Sequence, residues 1–222
     1  VTAWSAGQAR PHALRVADIG AGVGSVGLMT LHLMPAEATS VFVEVQAISH
    51  KLCRKTVAHN DLGARVELRL GDLRDIAVLP EVEHFDLVTG SPPYFPLGTA
   101  VCSPHPQRAG ARMELKGDVF DYCRTAARIM KPDAAFVLCH AASDARPEAA
   151  IEAAGLTLNR RQDVCFRDGR PPTIAVFTCS FGGDRSDAPP LIMRTGDGAW
   201  GPARYQLQAA MGLADSRNDP SQ

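Results

Sequence analysis

Four consecutive residues, Ser91-Pro92-Pro93-Tyr94, carry the most specific chemistry in this chain, because they close an apolar run, "FDLVTG" (85–90), that reads as a buried strand. Proline fixes φ and has no backbone donor, so a Pro-Pro pair ends a sheet ladder at once and holds nearby carbonyls in a set direction. An amine whose lone pair is delocalised into a ring or carbonyl is a poor nucleophile. Two acceptors that hold its hydrogens favour a pyramidal nitrogen with the lone pair free to attack, and charge develops there as a new bond forms. Ser91 Oγ and the Pro92 carbonyl suit that task, Pro93 stiffens the elbow, and Tyr94 offers a flat face on which an extruded base can stack.

Three more strand ends carry polar or glycine residues. After "RVADIG" (15–20) comes Asp18-Ile19-Gly20-Ala21-Gly22-Val23-Gly24; Glu44-Val45 ends "TSVFVEV" (39–45); Asp72-Leu73 ends "ARVELRLGDL" (64–73). Glycines between a strand and a helix let backbone approach a ligand closely. A dinucleotide turn is spaced G-x-G-x-x-G to receive a pyrophosphate, whereas this one is G-x-G-x-G with Asp18 two residues ahead. A carboxylate beside the turn suits a cationic cofactor better than a diphosphate. S-adenosylmethionine (SAM), with a sulfonium and an ammonium and no phosphate, fits. Glu44 is placed to accept both hydroxyls of its ribose, and Asp72 with Leu73 to meet its adenine.

The elements that must position these residues alternate along the chain. Strands at 15–20, 39–45, 64–72 and 85–90 are separated by helices at 25–34 and about 46–60. A Pro/Gly/His-rich loop (96–111) leads to a helix over 113–131 whose Val119, Tyr122, Cys123, Ala126 and Ile129 share one face. A strand at 133–140, a helix at 146–155 and a strand pair at 156–166 and 172–181 close the pattern. This reads as an α/β fold, a doubly wound, mostly parallel Rossmann-like sheet of seven strands with a C-terminal antiparallel hairpin. Ligands of such sheets sit beyond the carboxyl ends of the strands, where the four motifs fall. Residues 1–212 read as one domain and 213–222 as a flexible tail. The start at Val1 suggests that an upstream segment, which would help to close the site, is missing.

Bulk composition excludes some classes. The 222 residues carry 23 Lys and Arg against 24 Asp and Glu, so a nucleic-acid partner must be met by a local basic patch. Arg108 and Arg112 after the elbow, and Arg160, Arg161, Arg167 and Arg170 near the last hairpin, are the candidates. The six cysteines show no CxxC pair and no histidine at metal spacing, which reads as buried free thiols in a reducing compartment and no metal. No run is long enough to span a bilayer and no signal-peptide pattern is present. The expectation is a cytoplasmic monomer without membrane contact.

The succession DIGAGVG, VEV, GDL and SPPYF resembles the class I SAM-dependent methyltransferases that carry an [N/D/S]-P-P-[Y/F/W] motif and methylate exocyclic or amide nitrogens. More narrowly it resembles the bacterial tRNA adenine-N6 methyltransferases that act on the anticodon-loop adenine of valine tRNA, whose members pair NPPYF with an AR-x-E segment, here Ala111-Arg112-Met113-Glu114. The likeness runs over about residues 13–212 and includes "LIMRTGDGAWGPARYQL". It implies that Asp18, Gly20, Gly22, Glu44 and Asp72 bind SAM, and that Ser91, Pro92 and Tyr94, with Phe95 beside them, hold the target nitrogen in a tRNA substrate. Ser91 stands where that family usually has Asn, and SPPY also occurs in DNA cytosine-N4 methyltransferases, so adenine and cytosine both stay open. A protein glutamine N5-methyltransferase, or a catalytically silent SAM-fold subunit that binds RNA, are the other readings.

Overall fold

The computed structural model describes residues 1–96, 98, 107 and 113–213. Its eight strands form one sheet, in the order β3-β2-β1-β4-β5-β7-β6-β8. The strands are β1 (Arg15–Ile19), β2 (Thr39–Glu44), β3 (Val66–Leu70), β4 (Phe85–Gly90), β5 (Met130–Ala141), β6 (Thr157–Cys165), β7 (Ile174–Ser180) and β8 (Ala188–Ile192). β3, β2, β1, β4 and β5 run parallel, β7 is antiparallel to both β5 and β6, and β8 returns parallel to β6. β1 is buried at four of its five positions and β5 over most of its length, as expected for strands covered on both faces.

Helices α1 (Thr2–Ala9), α2 (Ser25–Leu33) and α3 (Ala47–His59) precede the elbow; α4 (Val119–Ile129), α5 (Arg146–Ala153) and α6 (Pro202–Ala210) come after it. One face of the sheet packs Phe42, Leu31 and Leu87 together with Ala6 of α1; the other packs Phe136, Phe177 and Ile151 with the apolar stripe of α4. Gly27 admits this closeness on the first face, since a Cβ there would lie 2.5 Å from the Phe42 ring.

Four features depart from the sequence reading. The described residues hold eight strands, not seven: β8 is hidden in the sequence because Pro189 and Pro190 lie within it. α1 is equally inconspicuous, a run of mostly small residues with no side-chain cap, and α6 lies in a stretch that reads only as polar and Pro/Gly-rich. α4 starts at Val119 rather than 113, because Gly117 turns with φ +115° and Asp118 exchanges hydrogen bonds with Asp121 in a reciprocal cap. Residues 214–222, most of the expected tail, lie outside the described residues.

Candidate active site

The sheet reverses its winding between β1 and β4, the two neighbours from which successive strands proceed in opposite directions. A cleft of about 460 Å³ opens above the carboxyl ends of the strands at this point. Gly20 and Gly22 line it from the β1 turn, Glu44 and Val45 from β2, Leu73 from β3 and Pro93 from β4. The sequence reading brought these six to one place. It missed others that also line the cleft: Gln46, Ser49, Lys116 and Tyr122.

Glu44 is the polar centre of the β2 side. It is buried, and its two carboxylate oxygens accept from the Gly22 and Gln46 amides, each at 2.7 Å. An ionised carboxylate has about four acceptor positions, so this anchoring leaves lone pairs on both oxygens. The other amides of the turn are engaged too. Gly20 and Ala21 both donate to the Val43 carbonyl at 2.9 Å, and Gly24 donates to Ala21 at 2.8 Å. A diphosphate is held by free, converging N–H groups; four of this turn's amides already have partners.

Asp18 lies beneath the turn rather than on the cleft wall. It is 2% exposed; Oδ2 accepts from the Gly27 amide and Oδ1 from the Thr89 hydroxyl, both at 2.8 Å. Burial pushes its carboxyl up to about 7, against the opposing effect of those two hydrogen bonds. The carboxylate thus ties β1 to β4 and to the start of α2. Asp72 is paired with Arg74, which reaches Oδ2 at 2.6 Å and Oδ1 at 2.9 Å; that contact holds its carboxyl below the ordinary value.

Tyr122 reads in the sequence as one more apolar residue on a helix face, but it closes the floor of the cleft. Its ring crosses the ends of β1 and β4, where Gly20 and Gly90 make room for it. A Cβ at Gly20 would lie 2.0 Å from the hydroxyl, and one at Gly90 would lie 3.0 Å from the ring. Gly20 also has φ +70°, which a side chain would strain. Burial, followed by the nearby Glu44 and Asp18 carboxylates, pushes the Tyr122 phenol far up, so it stays a neutral donor.

The elbow itself has a defined seat. Ser91 is exposed, Pro92 is buried and Pro93 reaches the cleft. Tyr94 turns inward: its hydroxyl meets Cys139 Sγ at 3.3 Å and its ring leans on the fully buried His140, with centroids 4.9 Å apart. One face of Tyr94 is therefore covered by His140. Burial lowers the His140 pKa, so the imidazole is neutral against that ring.

Arg146, at the start of α5, pins the chain at the end of the elbow. It forks onto Asp144 at 2.6 Å, reaches Glu114 Oε1 at 2.7 Å and donates to the Tyr94 carbonyl at 3.3 Å. The Glu114 amide in turn donates to the Phe95 carbonyl at 3.0 Å, and Phe95 bridges Met113. Arg108 and Arg112 lie outside the described residues, and so does the AR-x-E segment up to Met113. Among the described residues no group of three His, Cys, Asp or Glu is placed to hold a metal, and no helix is long and apolar enough to cross a membrane.

Strand order, the glycine turn and the acid on β2 are those of the class I methyltransferase fold, whose enzymes take a methyl group from SAM. Comparison with known proteins agrees. The model of the methyltransferase small domain family matches residues 7–102. Among curated proteins, the tRNA1(Val) (adenine(37)-N6)-methyltransferase of Cronobacter sakazakii is 26% identical over 203 residues, 90% of this chain and 81% of that protein. Its counterpart from Tolumonas auensis is 25% identical over 86% of this chain and 78% of its own. Of the solved structures, Agrobacterium tumefaciens protein Atu636, assigned as an O-methyltransferase by prediction, superposes with TM-score 0.68 at 23% identity over 93% of each chain. A SAM-dependent methyltransferase from Aquifex aeolicus gives 0.53 at 13% identity, over 75% of this chain and 81% of its own. At those identities the structures speak for the fold.

Proposed function

We propose that residues 1–212 act as one cytoplasmic methyltransferase unit that transfers a methyl group from SAM to an exocyclic nitrogen of a base in structured RNA, adenine N6 of a tRNA first among them. The observation that carries this reading is the pairing of two features above β1 and β4. One is a cleft with four turn amides already engaged and a buried Glu44 that keeps acceptor capacity; the other is the Ser91-Pro92-Pro93-Tyr94 elbow at its rim. Two relatives that match over most of this chain, both named as tRNA adenine-N6 methyltransferases, support the choice of substrate.

The donor set suits SAM: the cleft offers a carboxylate acceptor, close-approach glycines and apolar walls at Val45 and Leu73, with four of the turn's amides already engaged. SAM, when bound, supplies an electrophilic methyl on a sulfonium. Glu44 would accept from ribose hydroxyls, and Gly20 and Gly22 would let the backbone lie against the ligand. Leu73 and Val45 would flank the adenine, with Asp72 at that end. Asp18, Ala21 and Gly24 would act one layer down, by setting the shape of the turn.

On the substrate side, Ser91 Oγ and the Pro92 carbonyl would accept the two amine hydrogens and hold the nitrogen lone pair toward the methyl group. Tyr94 would stack the base with the face that His140 leaves open, and Phe95, exposed at the rim, would contact the neighbouring nucleotide. Arg108 and Arg112 would meet phosphates. The shorter Ser91, where the relatives' family usually has Asn, keeps cytosine N4 as the second nucleobase reading.

The test is methylation of total tRNA and of total protein with radiolabelled SAM, followed by digestion. Label in N6-methyladenosine is the expected result. Label in N4-methylcytidine or in methylated glutamine would overturn the assignment of the acceptor, and RNA binding with no label anywhere would leave a silent SAM-fold subunit. Ser91→Ala should lower kcat about 10- to 1000-fold with SAM affinity unchanged, on the scale of one preorganised hydrogen bond at a reacting centre.

A further inference from the structure

The carboxyl edge of the sheet does not stop at the cleft. β6 and β5 are both antiparallel to β7, and β8 is parallel to β6, so the ends of β6 and β8 lie on the same edge as the elbow. Arg167 and Arg170 come after β6, Arg194 comes after β8, and Arg204 stands in the first turn of α6. Between the last two lies Trp200, 39% exposed. The Arg194 guanidinium carbon sits 3.4 Å from the centre of its ring and that of Arg204 sits 3.7 Å away. Two guanidinium groups that close to one centroid must occupy opposite faces.

Charge pairing separates these arginines from Arg146, Arg161 and Arg185. Arg161 is bound by Glu148 and Asp163, Arg185 by Glu148 and Asp187, and Arg146 by Asp144 and Glu114. Arg160 reaches Gln8. Among the described residues, none of Arg167, Arg170, Arg194 and Arg204 has an ion-pair partner. The acids nearby are Asp168, which accepts from the Gly169 amide, and Asp197, which is engaged by Thr195 and the Ala199 amide and feels the Arg167 charge beyond ion-pair distance. Stacking on an aromatic face leaves a guanidinium's in-plane N–H groups free and fixes their direction, which is the geometry that grips phosphate oxygens two at a time. Arg194 gives one of its groups to the Gly198 carbonyl at 2.7 Å, which steadies it further.

We infer that the ends of β6 and β8, with the Arg194–Trp200–Arg204 stack at their centre, form a docking surface for the phosphate backbone of a folded RNA. The inference rests on the RNA reading above. Four strand spacings separate β4 from β8 in the sheet order, about 19 Å at the usual inter-strand distance. That spans about six nucleotides of one strand. The surface therefore grips a part of the RNA remote from the reacting base and contributes to capture, not to the chemical step.

The experiment uses an unmodified tRNA transcript and the whole chain, with binding measured against salt and methylation measured in parallel. Arg167→Gln/Arg170→Gln and Arg194→Gln/Arg204→Gln should each flatten the slope of log affinity against log salt by about 1 to 2, as expected for the loss of up to two phosphate contacts. Each should raise KM for tRNA about tenfold or more, with kcat at saturating RNA and SAM affinity at the parent values. Lys55→Gln, an exposed cation in the later half of α3, serves as the control for net charge. The first pair lies in an exposed loop, so it answers even if the second disturbs the Trp200 clasp. Slopes and KM values equal to the Lys55→Gln control overturn the docking surface while leaving the RNA methyltransferase reading intact. A parent chain that neither binds nor methylates tRNA overturns both.

Discussion

Replacing Glu44 by Gln changes one oxygen to an NH2 and almost nothing in volume, which makes it the sharpest probe of the cleft. The carboxylate now accepts from Gly22 at one oxygen and Gln46 at the other, both at 2.7 Å. A glutamine can accept at one end only, so its other end sets N–H against N–H, and the amide must tilt or leave one backbone donor unmatched. Hydrogen bonds to a charged group contribute about 1.5–3 kcal/mol, and a buried donor left without a partner costs about 1–3 kcal/mol. If Glu44 also takes the ribose hydroxyls, SAM affinity falls about 10- to 150-fold, which corresponds to about 1.4–3 kcal/mol, while folding stability falls by a comparable amount. Titration calorimetry with SAM and with its demethylated product reads the first effect, and chemical denaturation followed by circular dichroism reads the second. A folded Glu44→Gln chain that binds both ligands with parent affinity would refute the reasoning, because the destabilised turn would then have nothing to do with the ligand.

Three further outcomes are expected. Gly20→Ala should cost about 1–3 kcal/mol of stability, since the new methyl meets the Tyr122 hydroxyl at a backbone angle of +70°; Tyr122→Phe should relieve part of that cost, and strictly additive losses in the double variant would contradict the contact. Arg146→Lys, which keeps the charge but loses the fork to Asp144, Glu114 and the Tyr94 carbonyl, should lower kcat about tenfold with SAM affinity unchanged; equal falls in both would point to general disruption instead. Burial raises the Asp18 carboxyl from 3.8 to about 7, so between those values the folded chain holds a proton that the unfolded chain has released. Stability from this group is then greatest on the acid side and declines as pH rises from about 4 to about 7. Denaturation of parent and Asp18→Asn across that window should show the parent losing ground relative to the variant, and a difference independent of pH would sink the assignment.

Much of the fold could be read because its first four strands are runs rich in apolar or β-branched residues stopped by glycine, acid or proline. β1, β2, β3 and β4 each announce their own ends, and those ends are where the cleft lies. The parts that escaped lacked such local signals. α1 is composed mostly of small residues without a capping side chain, and it is held by packing on α2 and β5. β8 contains the residues that ordinarily argue against a strand. At the site, residue type was legible but direction was not. Asp18 and Glu44 look alike as strand-end acids, yet one carboxylate is beneath the turn and the other is on the wall. Tyr94 reads as a flat face for a base, but the sequence does not show that His140, forty-six residues later in the chain, packs against its ring. Tyr122 reads as core, and its role on the cleft floor comes from the two glycines that make room for it. Contacts of this kind depend on which elements the topology makes neighbours.

The prolines of β8 have a bearing on how the molecule behaves among copies of itself. A sheet ends in a row of backbone groups that another chain's strand can join, and this is a common route to aggregation. β8 is the last strand on its side of the sheet, and Pro189 and Pro190 stand exposed within it. Neither has an N–H to offer a ninth strand, and each holds φ near −65°, away from the fully extended value that regular pairing prefers. The strand can thus complete β6 on one side while presenting a poor template on the other, so the same two residues that conceal it in the sequence keep the sheet from growing at this edge.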